Sequence, residues 1–386
     1  MIKVVKYLLI GSCFLFFGIG NSMAKAEGEF NAKEFALHHI ADANTWHIVG
    51  NFTIPLPIIV YHPERGLDMF MSSKLPEAHT TEAISEEHIE IHAEESEVGT
   101  IEEMHTEVTE HAEAAHDMHD YKGYVMSHDR VATADGSKFY DLSITKNVAT
   151  LLITCAIMLI IFISVANAYK RNTGKAPSGL QSLMEPIILF VREDVVRPNL
   201  GDQTDRFLPY MLTLFFFIWI ANILGLIPFI SNPNLTGNIT ITMALSLMTF
   251  VITNINGTKD YWKHIFWPPG VPLGVKFILV PIEILGIFIK PFALMIRLFA
   301  NITAGHIIVL SLIGLVFTFG NAGESLAGGL TGALIAVPFA IFMSFLELLV
   351  GFLQAFIFTM LSALFIALAL ESHDHHVEPH EPGPII

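Results

Sequence analysis

Cysteine is nearly absent from this chain: two occur in 386 residues, Cys13 and Cys155, both within apolar stretches. Neither a disulfide framework nor a thiolate metal site is therefore expected to organise the fold. Charge is scarce as well. Asp, Glu, Lys and Arg make up only 15% of the residues against 52% hydrophobic, with 30 phenylalanines, the balance of a membrane protein. Lysine and arginine are missing altogether between Lys74 and Lys122, a stretch with seven histidines whose 15 acidic residues account for nearly all of the net charge of −16. The remainder is close to neutral, so no basic footprint for nucleic acid exists. No P-loop or other nucleotide motif occurs, so neither phosphoryl transfer nor a bound cofactor is expected of this chain.

The N-terminus has the three parts of a secretory signal over residues 1–26. Lys3 and Lys6 supply the positive end, Tyr7 to Gly20 the apolar core, and Ala24-Lys-Ala26 a small-residue cleavage site. Residues 27–146 are then expected outside the cytoplasm. Within them, Trp46 to Tyr61 alternates in the manner of a strand, with proline breaks, and predicts a small hairpin at the membrane surface. The acidic, His-rich insertion at 77–120 has helix formers but no sustained apolar face, which predicts a solvated spacer. His88/His92 and His116/His119 have helical spacing for metal ligands. Without cysteines or fixed carboxylates to complete a shell, no metal site is expected.

Residues 147–371 read as an all-α membrane domain. About five transmembrane helices, an interfacial amphipathic helix, and two final helices that are long and tilted are expected. The first span lies in Asn147–Tyr169 and ends at Lys170-Arg171. No charged residue occurs between Arg206 and Lys259, a stretch divided into two helices by the turn residues at 231–238. Leu180, Leu183, Met184, Ile187, Ile188 and Val195 mark one face of the interfacial helix between the first two spans. Lys170, Arg171, Lys175, Arg192, Arg197, Arg206, Lys259 and Lys263 all fall on one side if the segments alternate. The positive-inside rule makes that side cytoplasmic and the N-terminus external. Five crossings then place the tail, residues 372–386, in the cytoplasm.

The last two spans carry isolated polar residues. Lys276, Glu283, Lys290 and Arg297 recur seven residues apart and form one slowly drifting stripe on a helix. Arginine stays protonated under biological conditions. Holding one at mid-bilayer costs from about 2.5 to over 10 kcal/mol, so such a residue is usually turned toward a partner, a water-filled cavity or an ion path. An arginine near a helix end can instead snorkel to the headgroups. Arg297 and Asn301 share a face, whereas His306, nine residues on, looks about 180° away. On the final helix Glu347 and Gln354 share a face, with Ser344 nearby. Lone polar residues such as Asn301 and Gln354 often only bond helices together. A fixed cation, a group titrating near neutrality and an acid amid apolar residues, on adjacent helices, point to a proton path.

The run Arg297-Leu-Phe-Ala-Asn-Ile-Thr-Ala-Gly-His306, with Leu353-Gln-Ala-Phe-Ile-Phe358, closely resembles subunit a of rotary F-type ATP synthases. Asn222-Ile-Leu-Gly-Leu-Ile-Pro228 and Ser143-Ile-Thr-Lys146 resemble it too, and the likeness covers roughly residues 140–371 but not the His-rich insertion. The resemblance implies a non-catalytic stator subunit in a bacterial inner membrane that forms proton half-channels against a ring of c subunits. It implies as partners that ring, the peripheral-stalk b subunit, the soluble catalytic sector and membrane lipid. Arg297 matches the arginine facing the ring, and Asn301 and Gln354 match polar residues lining that interface. His306 and Glu347 match a paired position in the outer half-channel, in the histidine-then-acid order of the mitochondrial form. Glu283 and Lys290 match charged positions toward the cytoplasmic exit. Two rival readings are a metal-ion secondary transporter, with the His-rich stretch as a loading segment, and an assembly subunit that transports nothing. Transporters of the first kind usually show internal repeats, and none is evident here.

Overall fold

In the computed structural model the described residues are 42–49, 52–76, 121–127, 129–227, 235–320 and 325–371. The expected signal segment, His-rich spacer and C-terminal tail lie outside them. The chain divides into two compact units, one spanning Ala41–Ala149 and the other taking in Thr150–Ile386.

The first unit is built from short antiparallel strands. β1 (Thr45–Val49) pairs with β2 (Phe52–Pro55), and β3 (Pro57–His62) pairs with β4 (Gly66–Met71). A third pair is formed by β5 (Tyr124–Ser127) and β6 (Arg130–Thr133), while β7 (Tyr140–Asp141) adds to the free side of β3. The alternation in β3 sends Ile58 and Val60 inward, where they meet Phe70, Tyr124, Met126 and Val131 in a small core. Gly66 closes the β3–β4 turn at φ +86°, a conformation that side chains with a Cβ resist. Across the surface, Lys122 pairs with Asp68 at 2.7 Å and Arg65 with Asp135 at 2.9 Å. The carboxylate of Asp68 raises the Lys122 amine above its ordinary range, although exposed pairs of this kind add little stability. The single hairpin expected from the sequence is thus two hairpins, followed by strands that were not foreseen. β5 to β7 are two to four residues long, too short for alternation to reveal.

The first long helix, α1 (Lys146–Arg171), is followed by α2 (Leu180–Phe190), a π-helical turn at Val191–Val196, and α3 (Arg197–Leu200). Next come α4 (Thr204–Gly225), α5 (Ile239–Ile255), α6 (Lys259–Phe266), α7 (Leu273–Phe319) and α8 (Leu326–Leu370). Among the described residues four stretches are long and apolar enough to cross a bilayer, and α5 with α6, bent by 103° at their junction, passes the same test only as a pair, giving five if the pair is one span. The all-α membrane class read from the sequence therefore holds. Along α2 and the π turn the buried side is Gln181, Met184, Val191 and Val195, whereas Leu180 and Leu183, read from the sequence as part of the apolar face, are exposed.

The phenylalanine-rich α4 is central: Met211, Phe215, Phe216 and Ile218 are fully enclosed, against Val191, Val195, Phe358 and Ile366. α8 lies against α4 and also forms a long antiparallel hairpin with α7. Ala355 and Ala363 on α8 are wholly buried, the small residues that let helices approach when no water drives them together. With 47 and 45 residues, α7 and α8 run about 70 Å each, roughly twice the hydrocarbon core. Most of the apolar surface of α7 is uncovered, from Phe277 through Phe288 to Ile296.

The hairpin closes at one point where only glycine fits. A Cβ on Gly328 would lie 2.0 Å from the carbonyl oxygen of Phe319. Gly328→Ala should therefore force the helices apart at a cost of about 1–3 kcal/mol. Gly286→Ala, whose added carbon meets nothing within 4 Å, should cost nothing. Thermal unfolding of the two variants in the same detergent checks the contrast: only Gly328→Ala should melt earlier.

Candidate functional site

The polar residues of α7 and α8 sort into three levels along the hairpin. At one level His306 Nδ1 contacts Glu347 Oε1, and both side chains are buried. Gly305 makes room for the carboxylate, since a Cβ there would come within 3.0 Å of Glu347 Oε1. The pair borders a small cleft completed by Asn222 and Gly225 of α4 and by Thr236. Asn222 is held on both sides: its amide donates to the Gly351 carbonyl at 2.9 Å and its oxygen accepts from the Thr236 hydroxyl at 2.6 Å. The second ring nitrogen, His306 Nε2, is buried without a partner among the described residues.

At the next level Asn301 Nδ2 donates to Gln354 Oε1 at 2.9 Å, tying α7 to α8. Gln354 is almost fully buried, whereas Asn301 and Arg297, one helical turn below, face outward. Arg297 makes no ion pair among the described residues. Its position four residues from Asn301 and nine from His306 gives the opposite facing expected from the helical period, with His306 buried and Arg297 exposed.

The third level is a second cleft, about 10 Å along α7 from Arg297. Lys290 lines it together with Thr249, Thr253 and Asn254 of α5, Tyr261 of α6 and Phe365 of α8. The Lys290 amine sits 5.6 Å from the Phe365 ring centre. Glu283 is half-buried two turns earlier and makes no ion pair with Lys290. The cleft continues inward as a run of hydroxyls: Tyr210 and Thr249 bond at 2.8 Å, and Thr249 and Ser362 at 3.3 Å.

All seven residues singled out from the sequence thus lie on the α7–α8 hairpin, and the structure brings His306 to Glu347 and Asn301 to Gln354. Sequence reading missed Asn222 and Thr236 as supports of the first cleft, and the hydroxyl face of α5. That face had a signal: Thr242, Ser246, Thr249 and Thr253, all buried, recur at helical spacing within an uncharged span. Three or more His, Cys, Asp or Glu side chains able to hold a metal do not come together among the described residues.

The helical region also has known relatives. The family described as ATP synthase A chain matches residues 148–367, and a domain of unknown function matches residues 35–118. "ATP synthase subunit a" of Chloroherpeton thalassium is 42% identical over 251 residues, 64% of this chain and 72% of that protein. The protein of the same name from Chlorobium phaeobacteroides strain BS1 is 40% identical over 317 residues, covering 77% of this chain and 90% of its own length. That of Myxococcus xanthus is 40% identical over 255 residues, 63% of this chain and 80% of that protein.

Proposed function

We propose, from the premise that this chain belongs to the ATP synthase A-chain family, that it is the membrane-sector subunit through which ion flow is coupled to rotary ATP synthesis. The observation that carries the finer mechanism is the placing of Arg297. It is exposed on the open side of α7, between two polar clefts, with the buried His306–Glu347 pair beyond it on one side and Lys290 on the other.

In this reading the open side of α7 receives the ring of c subunits. A protonated rotor carboxylate tolerates lipid, but an ionised one needs a fixed cation. Arg297 supplies that charge and repels protons, so an ion cannot pass straight from one cleft to the other. Asn301, held by Gln354, gives the rotor carboxylate a polar neighbour beside the arginine. The cleft at His306 and Glu347 is the half-channel open to the outside, where an acid and an imidazole in contact can pass a proton on. The cleft at Lys290, with Glu283 beyond it, leads to the cytoplasm. One charge crossing 100 mV yields about 2.3 kcal/mol, so several must be pooled through rotation for each ATP made.

The chain itself is non-catalytic: it carries ions, and the nucleotide chemistry belongs to the soluble sector, reached through the c-ring and the peripheral-stalk b subunit. It sits in the bacterial inner membrane with residues 27–146 outside and residues 372–386 in the cytoplasm, a reading supported by the positive-inside bias of the basic loops. Isolation from native membranes in mild detergent tests the reading. A c-ring and a nucleotide-hydrolysing sector should come with the chain. Recovery of the chain alone, active in metal transport after reconstitution, would overturn it in favour of the transporter.

A further inference from the structure

The outer face of the β4–β3–β7 sheet carries no charge. Register places Leu67 and Tyr140 on either side of Tyr61, with the two tyrosine rings 6.3 Å apart. The next row holds Met69 opposite Ile59, whose carbonyl accepts from the amide of Leu142 at 2.9 Å. A third row sets Met71 opposite Pro57, whose carbonyl accepts from Ile144 at 3.1 Å. The opposite face of the same sheet, with Ile58, Val60 and Phe70, already fills the core. The outer face is therefore not spare core. Leu67 (60%), Met69 (64%), Tyr140 (67%) and Leu142 (63%) are largely open, a concentration of apolar side chains that soluble surfaces seldom carry without a partner.

The chain itself indicates what covers them. Leu142 is four residues from Lys146, where α1 begins, a reach of at most about 14 Å. The first turn of α1 belongs to the same unit and is clamped to it: Lys146 N donates to the Ala43 carbonyl at 2.8 Å and Asn147 N to Asp42 Oδ1 at 3.1 Å. The headgroup layer on each side of the hydrocarbon is only about 5–8 Å deep. The apolar rows thus lie within reach of that layer at the point where the span enters it. Their make-up suits it too, with two tyrosines bearing polar tips and leucine and methionine between them.

We propose that this uncharged sheet face rests on the lipid bilayer beside the entry of α1, with the row of Tyr61, Tyr140 and Leu67 at headgroup level and Met69 and Leu142 toward the acyl chains. The unit is then a surface anchor that fixes where the first span enters the membrane. This inference rests on α1 being a membrane span and is independent of the ion path.

The test uses the full chain with Cys13→Ser and Cys155→Ser, reconstituted in liposomes of phosphatidylcholine and phosphatidylglycerol. A nitroxide is attached at Met69→Cys, or at Ala134→Cys in the turn after β6, on the layer that packs against the sheet's inner face. The label at 69 should collide at least about threefold less with a water-soluble nickel chelate than the label at 134, and more with oxygen, as lipid burial requires. Adding Leu67→Asp to Met69→Cys should restore nickel access. Three results would overturn the proposal: equal nickel access at the two positions, protection at 69 only in the assembled ATP synthase, which would mean a protein subunit covers the face, or spin–spin broadening at 69, which would mean a second copy does.

Discussion

ATP-driven proton pumping is expected to vanish when Arg297 is replaced by alanine, with the complex still assembled. The guanidinium is exposed on α7 and makes no ion pair among the described residues, so the fold loses little with it. The rotor loses much. An ionised carboxylate left in a low-dielectric interface without its partner costs about 3–5 kcal/mol, which slows passage by roughly 10² to 10⁴-fold. Protons would also be free to leak between the two clefts, so ATP hydrolysis in Arg297→Ala should persist while coupling is lost. Arg297→Lys should be severely impaired as well, because an amine sheds its proton when desolvated and lacks the planar fork. Both variants are measured in inverted vesicles by acridine-dye quenching, with complex content matched by immunoblot. Normal quenching by either would remove Arg297 from the mechanism.

The candidate site was largely legible in the sequence because the membrane makes polar residues conspicuous. In a soluble helix Asn301 or Gln354 would be unremarkable; in a span each has a partner to find, and the helical period says on which side. The period assigned Arg297 and His306 to opposite faces, and one is exposed while the other is buried. It gave no hint that Asn222 would brace Gly351 and Thr236, because those contacts join segments distant in sequence. The hydroxyl face of α5 was written at helical spacing, yet threonine and serine are common enough in spans to pass as ordinary. In the helices, the burial of Gln181 on α2 while Leu180 and Leu183 stay exposed is announced by no apolar pattern. The β unit was the least legible. Its strands are held by pairings across tens of residues, such as Leu142 to Ile59, and alternation within two to six residues is too brief to fix them.

Exchanging the two members of the buried pair gives the sharpest test of the outer cleft. Glu347→Gln keeps the shape but removes the acid, and His306→Ala removes the imidazole and leaves the carboxylate without its only described partner. A hydrogen bond involving a charged group is worth about 1.5–3 kcal/mol, so each single change should slow transport by roughly 10- to 150-fold if the pair is one relay. In His306→Glu with Glu347→His, an acid and an imidazole still meet between α7 and α8. The missing Cβ of Gly305, which now admits the Glu347 carboxylate, leaves space for the ring on α8. The Asn222–Thr236 support on the other side of the cleft is untouched by the exchange. Transport in the double variant should therefore exceed that of His306→Glu alone and of Glu347→His alone. Proton pumping in these backgrounds, at equal complex content, reads the coupling directly as the departure from additivity. If the losses of the two exchanged residues simply add, the residues act separately, and a relay through the contact of His306 with Glu347 is wrong.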